Sequence, residues 1–401
     1  MVDNLSLIQF CESSAEGMIV WCPSSSYSRS GLHRKTFTDE CVDAFSRSVA
    51  LHGQFLNLGK LSFRDELPRW VEEHEIECVY YTREFACEEI EEERQVLDWC
   101  GLKKIRVVAL DQGTLIAESD LPFSLSKMPF IFTDFRKKVE YSLRIRAPQP
   151  APLLWPRPIV ADSARAVVLP VSPEKSQSSG EEAAWNRLDH YFWKSEAVRT
   201  YKETRNGMLK DDDSTRFSPF LNQGCLSARS VHDELKKYER MHSANESTYW
   251  VIFELLWRDY FKFLSRKHGK LIFKETGLLT TPLRRGRADP EVFRNWCAGL
   301  TEDPFINANM RELNLTGRMS NRGRQNVASY LIHRLQLPWT WGAAYLEEQL
   351  IDYDPDLNWG NWLYLSGRGT DPRAREFNPR RQAEMYDPGS LYQMKWNGKI
   401  S

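Results

Sequence analysis

A proline-rich stretch in the middle of the chain constrains its folding more than any other feature. Between Arg146 and Gly180 the sequence reads A-P-Q-P-A-P-L-L-W-P-R-P and later V-S-P-E-K-S-Q-S-S-G. Proline breaks helices and lacks the N–H that a sheet needs, and serine and glycine bury little, so this stretch is expected to be a long linker. The hydrophobic pattern differs on its two sides. Before it, apolar runs at Met18–Cys22, Phe55–Leu58, Glu77–Tyr81 and Ile105–Leu110 alternate with amphipathic stretches near Lys35–Leu51, Arg64–His74 and Glu84–Cys100. That alternation predicts β-α-β units and a parallel sheet. Such sheets usually have more strands than the four visible here, so one at the start is expected to be missing. After the prolines, helical periodicity runs through Glu182–Thr204, Ser227–Arg240, Thr248–Lys267, Pro290–Leu300, Asn307–Leu313, Asn321–Leu335 and Trp341–Leu350. The expected plan is an α/β domain over 1–145, a linker over 146–180 and a helical domain over 181–401.

With 401 residues, 41% of them hydrophobic and 12% aromatic, there is ample material for two cores. No apolar run approaches the roughly 20 residues needed to span a bilayer, and Asp3, Glu12 and Glu16 make the start unlike a signal or transit peptide. The expectation is a soluble intracellular monomer with no membrane partner. Eight cysteines (Cys11, Cys22, Cys41, Cys78, Cys87, Cys100, Cys225, Cys297) are scattered without C-x-x-C pairs or zinc-type spacing. They read as reduced thiols in a reducing compartment: the cytoplasm, or an organelle if a targeting segment lies outside this sequence. Net charge is -1, but residues 1–200 hold 30 acidic and 24 basic side chains while 201–401 hold 25 and 30. A polyanion would therefore prefer the second half, although a solvated charged surface has the same composition.

Three segments carry candidate chemistry. In Tyr201–Arg229, hydroxyls at Ser214, Thr215 and Ser218 flank a break before a new helix, where they and backbone N–H groups can hold phosphate oxygens; an ordinary helix cap reads the same way. In S-T-Y-W-V-I-F-E-L-L-W-R-D-Y-F-K-F-L, residues Glu254, Trp257 and Arg258 share one helix face. They suit base stacking with hydrogen bonding, and equally an amphipathic core helix. Finally, T-G-R-M-S-N-R-G-R-Q-N-V-A-S-Y-L and L-I-D-Y-D-P-D-L-N-W-G-N-W-L-Y-L-S-G-R-G concentrate Trp, Asp, Asn and Gly beyond what packing requires, with Arg324 and Asp352 as a candidate buried pair beside a polar ring system.

The ordered set T-R-F-S-P-F-L-N-Q-G-C-L-S, Y-W-V-I-F-E-L-L-W-R-D-Y-F, N-M-R-E-L-N-L-T-G-R-M-S-N-R-G-R-Q-N-V-A-S and N-W-G-N-W-L-Y-L-S-G resembles the photolyase/cryptochrome family, the DASH cryptochromes in particular. The likeness extends to T-D-F-R-K-K-V-E at Thr133–Glu140 in the first half. It implies an α/β, Rossmann-like antenna domain followed by an all-α FAD-binding domain with a U-shaped FAD. By motif position, Tyr201, Thr215 and Ser218, with Arg216 and Phe217 between them, would lie along the ribityl and diphosphate portion. Arg258, Asn321, Arg324, Asp352, Asp354 and Asn358 would surround the flavin and adenine, with Asn358 near the flavin N5. Trp257, Tyr364, Glu254 and Gln325 would line a cavity for a flipped pyrimidine dimer. Glu254, Asn358, Trp362 and Trp339 would be the catalytic set, the two tryptophans passing electrons to the flavin. Glu140 would hold a 5,10-methenyltetrahydrofolate antenna.

This sequence also departs from that family. It opens M-V-D-N-L-S-L-I-Q, as though cut within the family's first motif. The outer position of the tryptophan chain falls in T-P-L-R-R-G-R near Leu283, without a Trp. Glu302, Asn307 and Arg318 stand where the family has Gly, Asp and an aromatic residue. The resemblance implies light-driven repair of cyclobutane pyrimidine dimers in single-stranded DNA, a deoxyribodipyrimidine photolyase activity. A blue-light photoreceptor without repair is the alternative, and a flavin-poor structural or RNA-binding remnant the third.

Overall fold

The structure is a computed structural model and describes residues 1–159, 178–280, 288–371 and 375–398. Among the described residues of the first part, six strands form three parallel pairs: β1 (Glu16–Gly17) with β6 (Arg157–Pro158), β2 (Ile19–Trp21) with β3 (Leu56–Leu58), and β4 (Cys78–Arg83) with β5 (Arg106–Asp111). Parallel neighbours need a crossover. The helix Leu32–Ala50 provides it between β2 and β3, and Cys87–Lys103 provides it between β4 and β5. Each of the four apolar runs becomes one of these strands. The chain opens not with a strand but with the helix Leu5–Ser13, capped by Asn4, whose Phe10 meets Tyr80 of β4 edge to face at 5.9 Å.

The described part of the proline segment is tied down. Gln149 exchanges backbone and side-chain hydrogen bonds with Asp3, Trp155 stacks on His52 at 4.6 Å, and Arg157–Pro158 forms β6. Asp3 in turn is buried in a bidentate pair with Arg229 of the helical part, at 2.8 and 2.9 Å.

From residue 178 on, the described residues are mainly helical, and two segments among them depart from simple periodicity. The single helix expected over Glu182–Thr204 is Gly180–Asp189, a π-helical turn His190–Lys194, and a separate short helix Tyr201–Thr204. In the π turn the adjacent Tyr191 and Phe192 are both fully buried, against Phe217. Likewise Asn321–Ser329 closes with the π turn Tyr330–Arg334. The Trp- and Asn-rich segment forms a further helix, Pro355–Leu365, opened by Asp354, which accepts from the N–H groups of Asp356 and Leu357.

The central helix Glu246–His268 joins the two parts. Asp259, fully buried, accepts from the N–H groups of Leu115 and Ile116, both at 2.9 Å, and Arg266 reaches Asp111 at 3.0 Å. Lys262 lies between Asp354 at 2.9 Å and Asp356 at 3.0 Å. One face of this helix is thus spent on the α/β part, leaving another for a cavity.

Candidate functional site

The helical part encloses a cavity of about 480 Å³, within the size range of small-molecule sites. Segments far apart in sequence build its walls, and their side chains form three groups.

In the first group, Ser214, Thr215, Arg216 and Ser218 come from the loop before the helix Ser218–Asn222. Arg187 pins that loop by donating to the carbonyls of Asp211, Ser214 and Thr215 at 2.8–3.0 Å and to the Asp212 carboxylate at 2.7 Å. Arg216 takes the left-handed φ of 57°, uncommon for a side-chain-bearing residue. Beside the loop, Arg324 binds both Asp352 carboxylate oxygens at 2.9 Å and donates to the Met319 carbonyl at 3.1 Å. Burial pushes the Asp352 carboxyl up, but the Arg324 charge, hydrogen bonds from Ser218 and Arg324, and Arg318 together outweigh it and hold the group below the usual range.

The second group lies under the helix Pro355–Leu365. Asp354 is occupied by Lys262 and its own cap; burial raises its carboxyl, and Lys262 and Arg258 overcome that to keep it low. Asn358 donates to the Ala343 carbonyl at 3.0 Å, which fixes the amide at the wall. Trp362 is buried against Gly342, where any Cβ would overlap the indole, so only glycine fits.

The third group is aromatic. Trp257 and Tyr364 meet edge to face at 5.8 Å, and the far side of Trp257 stacks on Phe132 at 3.6 Å. Glu254 and Gln325 complete it. Glu254 pairs with Arg205; desolvation nevertheless raises its carboxyl above the ordinary value against that guanidinium's pull. Arg375 lies over the Tyr364 ring at 4.7 Å.

The structure therefore brings Tyr201, Thr215, Arg216, Ser218, Glu254, Trp257, Arg258, Asn321, Arg324, Gln325, Asp352, Asp354, Asn358, Trp362 and Tyr364 to one cavity. It does not bring Phe217, Trp339 or Glu140 there. Phe217 is consumed by the core with Tyr191 and Phe192, because a buried aromatic at that turn packs inward. Trp339 is buried behind the wall, donating to the Glu275 carbonyl at 3.0 Å and touching Trp359 at 5.8 Å. Glu140 sits where the two parts meet, accepting from Tyr249 at 2.6 Å with Arg136 at 3.4 Å. The stretch around Leu283, the outer position of the tryptophan chain, lies outside the described residues. Sequence reading missed Arg205, Arg375 and Phe132 as wall or support; only Phe132 had a signal, standing directly before T-D-F-R-K-K-V-E.

Residues 1–153 match the family described as DNA photolyase, and 250–400 match the FAD binding domain of DNA photolyase. A cryptochrome DASH of Gloeobacter violaceus is 42% identical over 383 residues, covering 92% of this chain and 76% of its own. One from Danio rerio is 41% identical over 92% of this chain and 74% of its own. The crystal structure of the Synechocystis sp. PCC6803 cryptochrome superposes with a TM-score of 0.90 at 37% identity, over 98% of this chain and 86% of that one.

Proposed function

Because the chain belongs to the photolyase/cryptochrome family, on its cryptochrome DASH branch, we propose that its cavity holds FAD and that it repairs cyclobutane pyrimidine dimers in single-stranded DNA under blue light. One observation carries this reading: a single cavity has a pinned loop of hydroxyls and guanidiniums on one side and an edge-to-face aromatic pair with a carboxyl on the other.

The donor set suits FAD. Arg216 keeps a buried Nε without a hydrogen-bond partner among the described residues, as expected of a group whose acceptor arrives with a ligand. Ser214, Thr215 and Ser218 would hold diphosphate oxygens, Arg324 with Asp352 would border the ring system, and Asn358 would face the flavin edge. FAD when bound and reduced supplies the electron that light drives into the dimer. This chain's residues do the rest. Trp257 and Tyr364 stack on the extruded bases and offset the lost base stacking. Glu254, with its raised carboxyl, donates a hydrogen bond to a base carbonyl as the dimer gains charge. Trp362 lines the cavity and packs against Gly342 of the helix Trp339–Gln349, which begins with Trp339, a placement suited to passing electrons inward. Arg205, Arg375 and Arg322, which donates to Gln325 at 2.8 Å, would meet backbone phosphates on this side, so DNA affinity should fall steeply with salt. Glu140 is the candidate carboxylate for a methenyltetrahydrofolate antenna and would exchange Tyr249 or Arg136 to hold it.

The test is a visible flavin spectrum of the purified protein, followed by light-dependent repair of ultraviolet-irradiated oligo(dT). Flavin present with no repair would shift the assignment to a photoreceptor. No flavin, and no uptake when it is supplied, would defeat the reading.

A further inference from the structure

Arg318 lines the same cavity as Arg216 and Arg324. Burial, then the nearby Arg216 charge, hold its guanidinium below the usual arginine range, while Asp352, Asp211 and Glu312 pull the other way. Those three carboxylates do not neutralise the cluster. Both Asp352 oxygens already accept from Arg324. Glu312 accepts from the Tyr392 hydroxyl at 2.5 Å, and burial raises its carboxyl toward the neutral form. Asp211 is almost fully exposed and 3.8 Å from Arg216, where water screens it. Among the described residues no side-chain hydrogen bond engages Arg318. Arg216 retains its buried, unpartnered Nε and its left-handed backbone. Two guanidiniums gathered in a half-buried cavity without full compensation are unfavourable until an anion joins them.

We propose that Arg318, together with Arg216, clamps the diphosphate of a dinucleotide and makes this cavity select FAD over flavins with one phosphate or none. The proposal rests on the FAD reading above and adds a specificity-determining residue to it. Two guanidiniums match the two negative charges of a diphosphate, each able to make charge-assisted hydrogen bonds to its oxygens. An aromatic residue at 318 would contribute contact area but no charge. Affinity through Arg318 should therefore be unusually sensitive to salt.

The experiment uses the full chain stripped of flavin, as wild type, Arg318→Phe and Arg318→Lys, titrated with FAD, FMN and riboflavin at low and high salt and followed by flavin fluorescence. Arg318→Phe should lose about tenfold or more in FAD affinity at low salt, the size of a charge-assisted hydrogen bond, and should flatten the salt dependence. Riboflavin affinity should stay unchanged, and Arg318→Lys should recover part of the loss. Inorganic pyrophosphate should raise the melting temperature of wild type and not of Arg318→Phe. Equal FAD affinity and salt dependence in wild type and Arg318→Phe, or an equal loss for riboflavin, would overturn the clamp. If wild type binds no flavin, the FAD reading fails, and the pyrophosphate shift alone then decides whether Arg318 holds a diphosphate.

Discussion

The polar and aromatic sides of the cavity are held in place by different means. The loop at 214–218 and the Arg324–Asp352 pair are fixed within the helical part by Arg187, by backbone carbonyls and by ion pairing. The aromatic side depends on the other part of the molecule: Trp257 is backed by Phe132, which reaches the cavity region only because the α/β part docks on the helix Glu246–His268. A ligand site for a permanent cofactor can thus be complete within one part, whereas the surface proposed for a transient substrate needs both.

The largest expected effect is on the polar side. Arg324→Ala leaves Asp352 buried and unpaired, at a cost of roughly 3 kcal/mol, the low end for a broken buried pair because Arg324 retains 29% exposure. Thermal unfolding with flavin absorbance would register both lost stability and lost occupancy. The pH dependence has a definite sign. The Asp352 carboxyl is depressed in the folded protein, so its stabilisation is present above its unfolded value of about 4 and is lost as pH falls through the lower folded value. Asp352→Asn should abolish that acid-side slope.

Phe132→Ala tests the other arm. Removing this buried ring should cost about 3 kcal/mol and weaken oligonucleotide binding, while flavin occupancy measured at a temperature where the variant is folded stays at the wild-type level. An equal loss of flavin would show that the two sides are not independently held.

Trp257→Ala should remove about 1–3 kcal/mol of base stacking, read as a weaker dissociation constant for oligo(dT), again with flavin absorption in place. The smallest effect concerns Glu254. Its carboxyl is raised in the folded protein, so the donor form persists above the ordinary value of about 4.3 and is lost as pH rises through the raised one. Binding of a dimer-containing oligonucleotide should weaken over that interval in wild type by about 1 kcal/mol, the size of one hydrogen bond, and stay flat in Glu254→Gln.

Much of the site was legible because its residues lie in compact motifs. Thr215, Ser218, Asn321, Arg324, Asp352 and Asn358 are marked by the motifs that resemble the photolyase/cryptochrome family, and all reach the cavity. Phe217 lies in the first of these motifs and Trp339 was implied by the same resemblance, yet both turn inward, since a motif records spacing and not which way a ring faces. Arg205 and Arg375 carry no motif, and only the fold brings them to Glu254 and Tyr364.

The sequence by itself determined the alternation of strand and helix before the prolines, the helical character after them, and the caps and hydroxyl loop that local chemistry dictates. Those features depend on neighbours within a few residues, and so they can be read along the chain. The tertiary structure alone decided that Arg157–Pro158 closes an edge with Glu16–Gly17, that Tyr191 and Phe192 both bury against Phe217, and that the guanidiniums of Arg324 and Arg318 both act on the buried Asp352 carboxylate. Each of these arises from contacts between distant segments, whose energy exists only once the two parts of the chain have packed together.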